Sequence, residues 1–147
     1  MNAVMLNPTT IAKYFGDTAE WAVCAYERVA RAKHDSSDYR SNSDVNVGNR
    51  HISVKSSAFT LMSGNMCEGR EDFDEIWNLY AENTHSNEFV YVAQDFTAYY
   101  MTIDEFEKFV YLFCRTERES EKNGGAMKIR CRKESKKMVE WLNAQVA

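Results

Sequence analysis

Apolar and polar residues alternate on both sides of Gly48-Asn49, which indicates two short strands joined by a tight turn. Opposite residues in an antiparallel pair keep a constant sum of positions, so this turn predicts Val45 opposite Ile52 and Asn46 opposite His51. The alternation also predicts two different faces. The apolar face holds Val45, Val47, Ile52 and Val54, and the polar face holds Asp44, Asn46, Ser53 and Lys55.

The remaining hydrophobic pattern predicts helices and strands in alternation. Ala19, Val23, Tyr26 and Ala30 form one helical stripe that ends near His34, and a second stripe runs from Phe73 to about Asn83. Residues 89–92 and 97–101 favour another hairpin, with a helix opened by the capping-box spacing of Thr102 and Glu105. Residues 127–132 alternate like a strand, and Met138, Trp141 and Leu142 mark a closing helix. We therefore expect a mixed α/β (α+β) fold, a single domain over 1–147 with a central mixed sheet flanked by helices.

Composition fits one such domain. The chain has 147 residues, of which 44% are hydrophobic and 13% aromatic, enough for a substantial core. No apolar run reaches the roughly 18–20 residues that a membrane span needs, so we expect a soluble cytoplasmic protein. The cysteines at 24, 67, 114 and 131 lack CxxC spacing, which favours reduced core thiols over a zinc site or a disulfide framework.

Charge is distributed unevenly along the chain. The segment 115–137 has nine basic and four acidic residues, a local net charge of +5, whereas the whole chain carries −4 and the remainder therefore −9. A basic face on an otherwise acidic protein suits contact with nucleic acid phosphates. A solvated charged loop and helix face is the other interpretation of the same pattern.

The polar face of the first hairpin carries the candidate chemistry. Hydrolysis of a phosphodiester with a divalent metal requires carboxylates to hold the ion and a cation that places water and offsets charge in the transition state. Asp44 and Lys55 supply one acid and the cation, so a further carboxylate has to come from elsewhere. Magnesium keeps several waters, and two carboxylates therefore suffice.

Asp44 followed by Ser53-Val54-Lys55 resembles the PD-(D/E)xK nuclease superfamily, to which most type II restriction endonucleases belong. Ser43 stands in place of the proline, and Ser53 in place of the second acid. Some members with this serine take the missing carboxylate from a glutamate about a dozen residues beyond the lysine, and Glu68 lies thirteen positions after Lys55. Glu71 is the weaker substitute.

The resemblance extends upstream of the hairpin. Family members often carry a glutamate on the preceding helix, and Glu20 occupies the matching place. From Glu20 to Glu68 the resemblance covers about a third of the chain. It implies that Asp44, Glu68 and Glu20 bind metal, that Lys55 orients the attacking water, and that Ser53 shapes the pocket.

The resulting hypothesis is a Mg²⁺-dependent endonuclease of restriction type that acts on double-stranded DNA, with Mn²⁺ as a substitute ion. Cleavage of both strands by one small domain favours a homodimer. The candidates for phosphate or guanine contacts are Arg115, Arg118, Lys128, Arg130 and Arg132.

Two alternatives share parts of this evidence. A phage or mobile-element inhibitor (anti-restriction or anti-CRISPR type), built on an inactive nuclease scaffold, would bind a host defence nucleoprotein. Ser53 and the acidic remainder favour this hypothesis. A repair or junction-resolving nuclease would share the metal site but prefer damaged or branched DNA.

Overall fold

The computed structural model describes residues 1–8, 15–30, 44–61 and 69–147, and for residues 15–17 and 123 it describes the backbone alone. The helices within these ranges are α1 (Phe15–Glu27), α2 (Phe73–Asn83), α3 (Ile103–Phe113) and α4 (Lys136–Val146), with a short 3-10 helix at Glu121–Asn123. The strands are β1 (Asn2–Met5), β2 (Val45–Val47), β3 (Arg50–Ser56), β4 (Phe59–Leu61), β5 (Glu88–Val92), β6 (Thr97–Met101), β7 (Arg115–Arg118) and β8 (Met127–Cys131). The expected mixed α+β class is confirmed.

The chain forms two compact units, and the first contains Met1–Ser57, His85–Glu107 and Glu134–Ala147. Its centre is a five-stranded mixed sheet in the order β1-β6-β5-β3-β2. Strands β3 and β5 are parallel, because β4 and α2 intervene in the chain and allow a crossover, whereas the other neighbours are antiparallel. The predicted second hairpin is thus β5 and β6.

The two faces of this sheet bury different residues. Ala19, Ala22 and Val23 of α1 pack on one face, against a cluster that includes Val45, Ile52, Val54, Val90 and Ala98. Residues of the alternate parity point to the other face, where Phe89 stacks on Phe106 at 4.5 Å between ring centroids. Helix α1 and the polar face of the first hairpin therefore belong to opposite sides of the sheet.

Helix α1 is shorter than the apolar stripe predicts. It ends at Glu27 because Arg28 adopts a left-handed conformation with φ of 59°. The amides of Arg28 and Val29 then donate to the carbonyls of Ala25 and Cys24, the bond pattern of a Schellman C-cap. The stripe is therefore wrong beyond Glu27, and Tyr26 is half exposed instead of buried.

The second unit contains Ala58–Thr84 and Lys108–Lys133. Its three-stranded sheet has the order β4-β8-β7, with all neighbours antiparallel. Residues 59–61, which follow the first hairpin in the chain, form the separate strand β4, which pairs with β8. Ile76, Trp77 and Tyr80 of α2 are buried, as their spacing predicts.

Candidate active site

The hairpin of β2 and β3 has the predicted register. Val45 pairs with Ile52, Asn46 with His51 and Val47 with Arg50. Val45 and Ile52 are fully buried, so the apolar face is confirmed as well. On the polar face, the side chains of Asn46 and His51 are joined by a 2.8 Å hydrogen bond, which gives this histidine a structural role.

Asp44 lies immediately before β2, and its carboxylate is fixed by the neighbouring strand. Oδ2 accepts a 2.8 Å hydrogen bond from the backbone N–H of Val54. A backbone donor orients a carboxylate without neutralising it. In the described ranges the other oxygen of Asp44, Oδ1, makes no hydrogen bond. Asp44 is partly buried, and this oxygen is therefore available to a ligand beside Val54.

Lys55 and Ser53 lie on the face of β3 opposite α1. Lys55 is half-buried, and no residue of the described ranges forms a hydrogen bond or ion pair with its ammonium group. The Ser53 hydroxyl is 2.7 Å from that of Ser86, which holds it within the protein framework. The lysine head is therefore available for an external oxygen, whereas the serine already has a partner.

The other predicted acids are distributed differently. Glu20 is on α1, which packs on the face of the sheet opposite Lys55. Glu68 lies outside the described residues. Glu71 belongs to the second unit, where its carboxylate accepts a 2.8 Å bond from Arg118. Of the predicted site, the structure places the Asp44 carboxylate on β3 at Val54, the residue between Ser53 and Lys55.

Glu134 is a carboxylate of this face that the sequence analysis missed. Its Oε1 accepts a 2.7 Å bond from the hydroxyl of Tyr91, and Tyr91 pairs directly with Lys55 in the parallel ladder. Paired residues of adjacent strands project to the same side of a sheet. The backbone amide of Glu134 also donates to Ser57 Oγ at 2.9 Å, and Ser57 follows the last residue of β3. No local motif marks this position, since tertiary contacts alone bring it to the strand.

The predicted basic residues lie in the second unit. Arg115 pairs with Arg130 in the ladder of β7 and β8, and by alternation Lys128 and Arg132 share their face. Much of this charge is already neutralised. Glu117 accepts bonds from Arg132 and is 3.7 Å from Arg115.

Two of the basic residues have further partners. Lys128 is buried and pairs with Glu119, which removes it from the accessible basic surface. Arg118 donates to Glu71 and to the carbonyl of Gly125. Of the three ion-paired arginines of this set, Arg115 is the most accessible, with 72% of its side chain exposed.

In the described ranges there is no group of three or more histidine, cysteine, aspartate or glutamate side chains placed to share a metal ion. The same ranges contain no helix with the length and apolarity of a membrane span. Comparison with protein-family models, curated proteins and solved structures found no match to this chain.

Proposed function

We propose that this protein is a cytoplasmic, metal-dependent endonuclease that hydrolyses phosphodiester bonds of double-stranded DNA. The observation that carries the proposal is the hydrogen bond from Val54 N–H to Asp44 Oδ2. It holds an acid beside the strand position that precedes Lys55, so an anionic metal ligand lies next to the strand that carries the cation. A phosphodiesterase needs this pair at the scissile group.

The donor set suits magnesium in its chemistry. Asp44 offers a carboxylate oxygen, and Mg²⁺ binds one or two carboxylates while it keeps water and substrate phosphate as its other ligands. The second carboxylate would be Glu134, which Tyr91 fixes on the Lys55 face, or Glu68. A bound ion would polarise the phosphate and lower the pKa of its water.

The side chains of the chain have separate roles in this proposal. The Lys55 ammonium orients the attacking water and offsets charge that develops on phosphate oxygens. Ser53, held by Ser86, shapes the pocket without ligating the ion.

The DNA would be held by the arginines of the second unit, Arg115, Arg118, Arg130 and Arg132. A homodimer would present two copies of the site, one for each strand. Arginine suits both phosphate and guanine, because its planar group bonds in a bidentate manner.

Plasmid cleavage tests the proposal. Wild-type protein is incubated with supercoiled DNA in Mg²⁺ or Mn²⁺, beside the variants Asp44→Asn and Lys55→Ala. We expect each variant to lose at least about a hundredfold in rate, because each removes a charge that acts in the transition state. The Asp44→Asn side chain keeps an oxygen that can accept from the Val54 amide, so folding should persist.

Matched controls are Asp104→Asn and Lys108→Ala, which change the same residue types at exposed positions of α3. Their rates should equal that of the wild type. Metal-dependent cleavage that survives Asp44→Asn or Lys55→Ala would contradict the mechanism. Glu134→Gln and Glu68→Gln then identify the second acid, and a four-way junction substrate tests for a preference for branched DNA.

The ion pairs of the second unit favour a second candidate. Glu117, Glu119 and Glu71 neutralise basic side chains that the protein would need in order to bind DNA. A protein inhibitor on a nuclease-like scaffold, which binds a host defence nucleoprotein, does not need those cations. It would neither cleave nor bind DNA at low salt, but would block the activity of the nucleoprotein in a titration of one protein against the other.

A further inference from the structure

A cavity of about 470 Å³ lies in the first unit and is separate from the Asp44 and Lys55 face. Three residues of the edge strand β1 and Val146 of α4 contribute to its lining, together with Tyr26, Glu27, Arg50, Glu88 and Tyr100. Tyr26 and Glu27 belong to the end of α1. The volume falls within the range of about 300–1,000 Å³ that is typical of small-molecule sites.

The charge of this lining is net negative. Arg50 donates to both oxygens of Glu27, each at 3.0 Å, and to both oxygens of Glu88, at 2.5 and 3.1 Å. Two carboxylates therefore surround a single guanidinium, which leaves an excess charge of −1. Four of the five N–H groups of Arg50 are used in these bonds. The arginine is thus poorly placed to recognise an anion.

Two tyrosines supply the aromatic part. The rings of Tyr26 and Tyr100 are 6.2 Å apart between centroids and tilted by 53°. Tyr26 is 50% exposed, so its ring is available to a ligand. Tyrosine faces attract cations, and the attraction adds to that of nearby carboxylates.

The Tyr100 hydroxyl is buried beside the carboxylate of Glu27. Burial, and then the charge of Glu27, raise the pKa of this phenol, so it stays protonated. A second cavity of about 320 Å³ shares Asn2, Glu88 and Tyr100 with the first. The two cavities are therefore neighbours.

We propose that this cavity binds an organic cation, a guanidinium or ammonium group carried on an apolar stem. Glu88 would pair with the charged head, and Tyr26 and Tyr100 would cover it through cation–π contact. The cation is either a free small amine or a basic side chain of a partner protein. The site does not depend on the proposed nuclease activity, since it lies on the α1 side of the sheet.

Isothermal titration of the full chain with agmatine tests the proposal. Binding at one site is expected. Glu88→Gln brings the local charge to zero, and Tyr26→Leu removes the aromatic face, so each should weaken agmatine about tenfold. Tyr26→Phe keeps the ring and should bind like the wild type.

Glu82→Gln is the control for charge, because Glu82 is an exposed residue of α2 outside the lining. It should leave agmatine binding unchanged. Tyr26→Leu alters a half-exposed side chain and should leave folding intact. It therefore tests the proposal even if Glu88→Gln folds poorly. Thermal melts report the folding of both variants. A blocked Gly-Arg-Gly peptide forms the second arm, and tighter binding of peptide than of agmatine identifies a partner's side chain as the source.

Three results would overturn the proposal. The first is an absence of saturable binding for both cations at millimolar concentration. The second is binding that Glu88→Gln and Tyr26→Leu leave unchanged. The third is binding of inorganic phosphate that competes with agmatine, since it would show that Arg50 recognises an anion here.

Discussion

At the scale of single residues, the backbone conformation of Arg28 explains why α1 ends at Glu27, which the side-chain pattern does not predict. Within the described ranges, Arg28 and Phe96 are the residues other than glycine with positive φ, at 59° and 65°. A left-handed conformation costs an L-residue roughly 1–2 kcal/mol. Phe96 packs against the core cluster and so gains burial from its position. Arg28 is exposed, and its backbone alone serves the C-cap.

Arg28→Gly should therefore stabilise the protein. Glycine relieves the strain at the cap but adds freedom to the unfolded chain, and the balance is a gain of roughly 0.5 kcal/mol. Chemical denaturation measures the free energy of unfolding. Arg28→Ala, which loses the same side chain and keeps a Cβ, should bring no such gain, and an equal gain from both would refute the argument from strain.

Some residues of the candidate site could be predicted from the sequence, and others could not. Asp44, Ser53 and Lys55 could be placed from the sequence because one tight turn fixes their register. Glu134 could not, since its position depends on Tyr91, which is 43 residues away. Periodicity describes what neighbours along the chain share, and it contains no information about such distant contacts.

At the scale of elements, α3 begins with the capping box that its sequence predicts. Thr102 N–H donates to Glu105 Oε1 at 3.0 Å, and Glu105 N–H donates to Thr102 Oγ1 at 3.2 Å. Burial raises the pKa of Glu105, but the bonds from Thr102 and the Met1 amino group outweigh it, and the pKa is lowered overall. The box is therefore charged, and its contribution is lost only as the pH falls through that lowered value.

Thr102→Ala should lower the free energy of unfolding by about 1 kcal/mol, because the amide of Glu105 loses its acceptor. Thr102 is exposed, so lost packing does not explain the effect. The control is Ser120→Ala, since Ser120 precedes the 3-10 helix without a side-chain cap bond, and we expect no change there. Equal melting curves for Thr102→Ala and the wild type would disprove this account.

Elements that the sequence did not predict have physical reasons in common. β1 has only four residues without clean alternation, and it pairs with residues of β6 that lie almost a hundred positions later. β7, Arg115–Arg118, is polar at all four positions and forms an edge of its sheet, which suits charged side chains. Hairpins are predictable because their partners are local, whereas these two strands are defined by distant pairing.

At the scale of the whole molecule, the arrangement of charge determines what the protein can bind. Four of the nine basic residues of segment 115–137 are ion-paired within the second unit, through Glu117, Glu119 and Glu71. The pKa of Glu117 is lowered by its bond from Arg132, so this acid is charged at neutral pH. Any phosphate would have to compete with these carboxylates.

Glu117→Gln should consequently strengthen DNA binding. The change releases Arg132 and Arg115 for phosphate, and the slope of log K against log salt should steepen by about one. Fluorescence anisotropy with a labelled duplex at several salt concentrations gives both quantities. Glu82→Gln removes the same charge from α2 and so measures the effect of net charge alone on DNA binding. An equal response of the two variants would show that this arginine face does not contact DNA.

Each compact unit contains buried thiols whose chemical labelling can report local unfolding of that unit. Cys24 lies in the first unit, and Cys114 and Cys131 lie in the second, all without a disulfide in the described part of the chain. An alkylating reagent reaches such sulfurs only when the surrounding structure opens. Mass spectrometry of the labelled peptides gives the alkylation rate of each cysteine and also distinguishes Cys67. Equal rates for Cys24, Cys114 and Cys131 would show that the two units unfold together, and different rates would show that they open separately.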